Sequence, residues 1–202
     1  MLVPVSRLDR WLANLASRHA GTVTMTVTDG ALVATAPDGT SATLRLPFDR
    51  SYDGPADPES FASAARAPHR WGILLVRKGG FAMAVVEDGA VVAHKVGQRH
   101  VQGRTKAGGQ SQQRFARRRE NQARQAYEAA AGHAADLLAE VEALVCGGDR
   151  RAVDAVLTDP RLRHAARRRT APWLAVPDPR RAVLDRAILD AASVRIDLTD
   201  PD

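Results

Sequence analysis

The residues best suited to chemistry crowd into one stretch. Between positions 97 and 125 the chain carries seven glutamines (98, 102, 110, 112, 113, 122 and 125), four glycines (97, 103, 108 and 109) and one carboxylate, Glu120. The cations there are Arg99, Arg104, Lys106, Arg114, Arg117, Arg118, Arg119 and Arg124. Eight basic residues against one acid give a local balance of +7, more than the +6 of the whole chain. Metal-assisted hydrolysis needs clustered carboxylates or histidines, and this stretch offers His100 alone. A serine nucleophile needs a histidine and an acid arranged around it, and nothing near Ser111 supplies them.

What remains is a glycine-rich tip bearing neutral amides between arginines. Glycine lets backbone pass close to its surroundings, and arginines neutralise phosphates. A glutamine can hold a water or donate a hydrogen bond without adding charge. Hydrolysis of an activated ester on ribose needs little more: a placed water, excluded solvent and donors for the developing oxyanion. If surrounding RNA completes the site, no full triad is required of the protein.

The elements that must position this tip follow from periodicity. Val5, Leu8, Trp11, Leu12 and Leu15 fall at helical spacing and end at Gly21. Residues 22–28 alternate threonines with Val23, Met25 and Val27, a half-buried strand. Asp29-Gly30 and Asp38-Gly39 are hairpin turns that link it to strands at 31–36 and 40–46. A proline-rich connection over 47–68 carries a short helix near Glu59–Arg66. A second meander uses Trp71–Val76, Phe81–Val86 and Ala90–Val96, the first two apolar enough to be central strands. The stretch from Gln98 to Gln113 has no hydrophobic period and reads as a mobile loop. A long helix then starts near Gln113, with apolar positions at Phe115, Ala123, Tyr127, Ala130, Ala134, Leu137 or Leu138, Val141 and Leu144. Beyond it come a strand at Ala143–Cys146 and a turn at Gly147-Gly148. Asp149 caps a helix through Leu157, followed by strand-like Trp173–Val176, a helix at Pro179–Ala192 and a last edge strand at Val194–Leu198.

The expected fold is one α/β domain over residues 1–202, a central mixed sheet flanked by helices. Residues 1–46 form an N-terminal helix and meander, and 71–202 a core with the loop at 97–113. No apolar run approaches the roughly 18–20 residues of a membrane span. Met1–Val5 has no basic leader before an apolar stretch, so a cytoplasmic location is expected. The single cysteine, Cys146, sits in an apolar run and reads as core rather than nucleophile.

Other candidates have plainer readings. Gly147-Gly148 could be a phosphate cradle, but an ordinary strand-to-helix turn suits it better. His94 and His100 lack a second ligand at useful spacing and read as surface residues. Trp11, Trp71 and Trp173 lie outside the basic segment and read as core. Arg117–Arg119 sit where the helix dipole disfavours cations, which points to an anionic partner. Arg167–Arg169 have no such neighbourhood. A metal-dependent nuclease would need Asp9, Glu87, Asp88 or Asp149 to converge.

The segment from Gly103 to Arg119, with Gly108-Gly109-Gln110-Ser111-Gln112-Gln113 at its centre, resembles the active loop of the actinobacterial branch of the Vms-type release factors. These are relatives of the middle domain of eukaryotic and archaeal translation release factors. The resemblance extends over most of the chain. It implies a release-factor middle-domain-like fold and a peptidyl-tRNA hydrolase that frees nascent chains on stalled ribosomes. The family's glutamine follows a glycine by three positions, which maps it onto Gln112 from Gly109. This chain also has Gln110, forming a Gly-Gly-Gln triplet at 108–110, so Gln112, Gln110 and Gln113 all remain candidates. The implied site is Gln112, Gln110, Ser111, Gly108 and Gly109, with Arg104, Lys106, Arg114, Arg117, Arg118 and Arg119 on RNA. The implied partners are large-subunit rRNA and peptidyl-tRNA, met by a monomer, with no DNA or membrane and no metal or organic cofactor. The competing reading is a non-catalytic ribosome-binding module whose loop only occupies a site.

Overall fold

Turns and caps set the element boundaries almost where the sequence punctuates them. The computed structural model describes residues 1–19, 21–78, 80–98 and 110–201, with backbone alone for 98 and 110–123. In chain order the elements are β1 (Leu2–Val3), α1 (Leu8–Arg18), β2 (Thr24–Thr28), β3 (Ala31–Thr35), β4 (Ser41–Arg45) and α2 (Pro58–Ala64). There follow β5 (Arg70–Arg77), β6 (Gly80–Glu87), β7 (Ala90–Gln98), α3 (Gln110–Leu137), β8 (Ala143–Gly148) and α4 (Arg150–Leu157). The last are α5 (Arg163–Arg167), β9 (Arg169–Leu174), α6 (Arg181–Ala191) and β10 (Val194–Thr199). They divide into two units, Met1–Ala67 with Ile188–Asp202, and Pro68–Ala187.

The first unit holds an antiparallel sheet in the order β1-β10-β4-β3-β2. Asp29 and Gly30 both take positive φ (49° and 70°), the backbone a tight two-residue hairpin requires. That turn sets the register in which Leu32 faces Leu44 and Ala34 faces Ala42, all four fully buried. Against them α1 lays Leu8, Leu12 and Leu15, one buried stripe at i, i+4 and i+7. Each such leucine contributes about 2 kcal/mol of transfer free energy. Phe61 of α2 completes this core, its ring edge-on to Tyr52 at 4.9 Å.

The second unit holds a mixed sheet in the order β7-β6-β5-β8-β9, antiparallel from β7 to β5 and parallel from β5 to β9. β5 and β6 are buried almost throughout, as their apolar runs predict. A parallel neighbour for β5 requires a crossover, and α3 is the helix of that crossover from β7 to β8. It buries Ala126, Ala130 and Ala134, with Leu138 just past its end, at four-residue spacing. Alanines at those positions let the helix pack closely against its neighbours. Leu74, Met83, Val85, Leu144 and Val153 fill the same core.

Several expectations need correction. The expected mixed sheet with flanking helices is present in the second unit, while the first meander builds a separate antiparallel sheet. The strand at 194–199 is not an edge: it lies between β1 and β4. Gln98 ends β7 rather than opening a loop, and α3 begins at Gln110, not Gln113. The helix stops at Leu137, so Val141 and Leu144 belong to the connection and to β8, where the strand's own period takes over. β9 starts at Arg169, four residues before the expected Trp173.

Candidate functional site: the start of helix α3

One aromatic ring links the strand that enters the glutamine segment to the last turns of α3. β6 and β7 pair from Glu87–Ala90 at the turn to Phe81–Gly97 and Gly80–Gln98 at the open end. Phe81 is nearly buried, and its ring covers Gly97 so closely that any Cβ there would collide with it. The same ring lies 5.8 Å from the imidazole of His133 on α3, tilted by 36°. The strand entering the segment and the helix leaving it are therefore tied through Phe81. Nothing in the sequence marked this, because Gly97 resembles one more loop glycine.

α3 opens with Gln110-Ser111-Gln112-Gln113, and its first turn holds no acid. The first four N–H groups of a helix lack intrahelical acceptors, and the dipole adds positive potential there. Arg114, Arg117, Arg118 and Arg119 follow on the next turns of the same helix. Cations at that position raise the potential further, an arrangement that favours an anionic partner. The structure thus brings Gln110, Ser111, Gln112 and the four arginines onto one helix. Gly108, Gly109, Arg104 and Lys106 lie outside the described residues, as does His100.

Further along, Arg124, Tyr127 and Glu128 of α3 line a groove of about 440 Å³ with Thr158, Asp159 and Arg161. Arg124 and Glu128 stand 3.9 Å apart, and Arg161 reaches Asp159 at 2.8 Å. The hydrogen bond from the Arg161 side chain, then that from its backbone N–H, lower the Asp159 carboxyl to about 2. Burial, reinforced by the charge of Asp149, pushes the Tyr127 phenol up.

The remaining candidates are occupied structurally. Cys146 is buried and burial raises its thiol to about 12, so it is no nucleophile at neutral pH. Asp149 accepts from the backbone N–H groups of Arg151 (3.0 Å) and Ala152 (3.4 Å), capping α4 with its own carboxylate. A Cβ on Gly147 would lie 2.6 Å from the Leu174 carbonyl, and one on Gly148 would strike the Val76 carbonyl, so these glycines serve close strand packing. The nuclease acids do not converge. Glu87 pairs with Arg70 and Asp88 with His69 at one end of β5, while Asp149 binds Val76 at the other, roughly 20 Å along the strand. Asp9 belongs to the other unit. Among the described residues, no group of three His, Cys, Asp or Glu side chains could hold a metal. His94 is exposed and 2.7 Å from Arg181. Trp71 is core, and Trp11 packs partly buried at the edge of the first unit's core. Trp173, also half-buried, carries Arg150 at 4.3 Å and Arg169 at 5.2 Å from its ring centroid.

Fold and site define a mixed α/β protein whose distinguishing feature is an acid-free, glutamine-led helix start at the exit of a sheet. The chain belongs to the Actinobacteria/chloroflexi VLRF1 release factor family, which matches residues 69–197. Its role is accordingly that of a release factor, in translation. Among solved structures it is similar to the Vms1 mitochondrial localization core, at 11% identity over 95% of this chain and 81% of that one (TM-score 0.45). It is also similar to the archaeal translation termination factor aRF1, at 12% identity over 93% of this chain and 61% of that one (TM-score 0.40). Pelota of Archaeoglobus fulgidus is similar at 11% identity over 95% and 62% (TM-score 0.35). This chain therefore spans under two thirds of the last two. No curated protein matches it. Among the described residues, no helix is long and apolar enough to cross a membrane.

Proposed function

We propose that this chain is a peptidyl-tRNA hydrolase that frees nascent chains from tRNA on stalled ribosomes or large subunits. The observation that carries this reading is the start of α3 at Gln110, which puts the candidate glutamines in a first turn rich in free backbone donors. Membership of a release factor family supplies the context. Water attacks the ester carbonyl, the ester C–O bond breaks, and the proton passes to the ribose oxygen, leaving a peptide acid and tRNA. Gln112 orients the water or stabilises the oxyanion, and Gly108 and Gly109 permit close approach to RNA. Arg104, Lys106, Arg114, Arg117, Arg118 and Arg119 dock on rRNA or tRNA phosphates. The chemistry needs no metal or organic cofactor, and the chain acts in the cytoplasm as a monomer.

Gln110 and Gln112 occupy helix positions about 200° apart around the axis, so neither substitutes for the other. The test is peptide release from purified stalled large-subunit complexes. Gln112→Ala is expected to lower the rate about 100-fold, the scale of one lost oxyanion or water-positioning donor, with Gln110→Ala milder. Release that survives both substitutions and the double variant would instead favour a ribosome-binding module without catalysis.

A further inference from the structure

The run Arg167-Arg168-Arg169 plays no part in the release reading, yet the fold gives it company. Arg169 pairs with Asp154 at 2.6 Å, which ties the start of β9 to α4. Trp173 on β9 lies under both Arg169 and Arg150, the first residue of α4. A guanidinium stacked on an indole keeps its donor edge for an oxyanion, and the stacking reduces the freedom lost on binding. Arg163 and Arg167, one turn apart on α5, line an open groove of about 370 Å³ with Thr158 and Pro160.

The charge on this face is unbalanced. Of its three acids, Asp154 and Asp159 are already paired with Arg169 and Arg161, and Asp149 is engaged as the cap of α4. Arg150, Arg151, Arg163, Arg167 and Arg168 are exposed, and no carboxylate of the described residues lies within ion-pair distance of them. The cations of 150–169 other than His164 are all arginine, the planar donor suited to paired contacts with phosphate oxygens. No large exposed hydrophobic residue interrupts 150–173, whereas a protein interface would centre on an apolar patch.

We propose that the face formed by α4, α5 and the start of β9 is a second RNA-docking surface. Arg150, Arg151, Arg163, Arg167 and Arg168 grip backbone phosphates there, apart from the α3 start. The proposal rests on the release reading only for the kind of polyanion. Its test reads binding rather than release, so the two fail separately.

The probe is a labelled single-stranded oligouridine of about 20 nucleotides, its affinity for the full chain measured across salt concentrations, since each lost phosphate contact lowers the slope of log K against log salt by about 0.7. Arg163→Gln/Arg167→Gln/Arg168→Gln is expected to flatten that slope by about two units, while the charge-matched Arg7→Gln/Arg10→Gln/Arg18→Gln, at exposed positions of the first unit, keeps the wild-type slope. The triple lysine replacement of Arg163, Arg167 and Arg168 should retain it, which separates lost charge from lost folding. An unchanged slope in the glutamine triple at those three positions overturns the proposal. So does a variant that loses binding to polyglutamate but not to RNA, which assigns the face to an acidic protein.

Discussion

The Phe81 and His133 rings lie 5.8 Å apart, tilted by 36°, so one side chain of β6 joins the end of β7 to the last turns of α3. Gly97→Ala inserts a methyl into that ring. Overpacking of this kind costs about 1–3 kcal/mol, and here it also displaces the strand leading to the candidate site. Urea unfolding should show a lower midpoint, and release should slow even though position 97 touches no proposed substrate contact. An unchanged midpoint would mean that the ring moves aside freely and does not hold β7 to α3.

Asp149 caps α4 through two backbone donors. Asp149→Ala is expected to cost about 1 kcal/mol, read as a lower melting temperature. The carboxylate also fills the helix end that a phosphate would need. Inorganic phosphate should accordingly leave the wild-type melting temperature unchanged, and a clear rise would restore the phosphate-cradle reading of Gly147-Gly148.

The Cys146 thiol, raised to about 12 by burial, is expected to stay unalkylated by iodoacetamide at pH 8 in the folded chain. It should react fully once denatured. Cys146→Ala should preserve release. Rapid alkylation of the native protein, or loss of activity in a folded variant, would contradict its role as core.

The His69 Nδ1–H donates to the Asp88 carboxylate at 2.7 Å, and that hydrogen bond, with the attraction of Asp88 behind it, raises the imidazole above its ordinary 6.5. A raised folded value means the pair stabilises fully below pH 6.5, and this contribution disappears as pH rises through the folded value. The pair is exposed, so its effect is best read on the histidine itself. In an NMR titration Asp88→Asn should move the His69 midpoint down toward 6.5, with a smaller rise left by Glu87 and Glu142. A midpoint indifferent to Asp88→Asn would remove the ion pair as its cause.

Much of the local structure was legible in the residues. Asp29-Gly30 and Asp88-Gly89 take the left-handed backbone that hairpins need, and Asp149 caps its helix, because these signals depend on a few adjacent atoms. The apolar runs of β5 and β6 foretold central strands. The candidate site was legible as composition, since glutamines, glycines and arginines are counted without knowing the fold. The clamp of Phe81 on Gly97 and the stacking of Arg150 and Arg169 on Trp173 were not. Their partners stand far apart in the chain or mimic ordinary loop and core residues.

The sequence by itself determined which faces are buried, where the chain turns, and that one stretch concentrates charge and amides. Tertiary structure alone decided that there are two sheets, and that Val194–Thr199 pairs with Ser41–Arg45 instead of closing the mixed sheet. It also set the start of α3 at Gln110, which moved the candidate glutamines from the expected loop into a first helical turn. The physical reason is common to all three. Side-chain period encodes which way a residue faces, but the N–H and C=O groups that choose a strand's neighbour or a helix's first turn are alike at nearly every position.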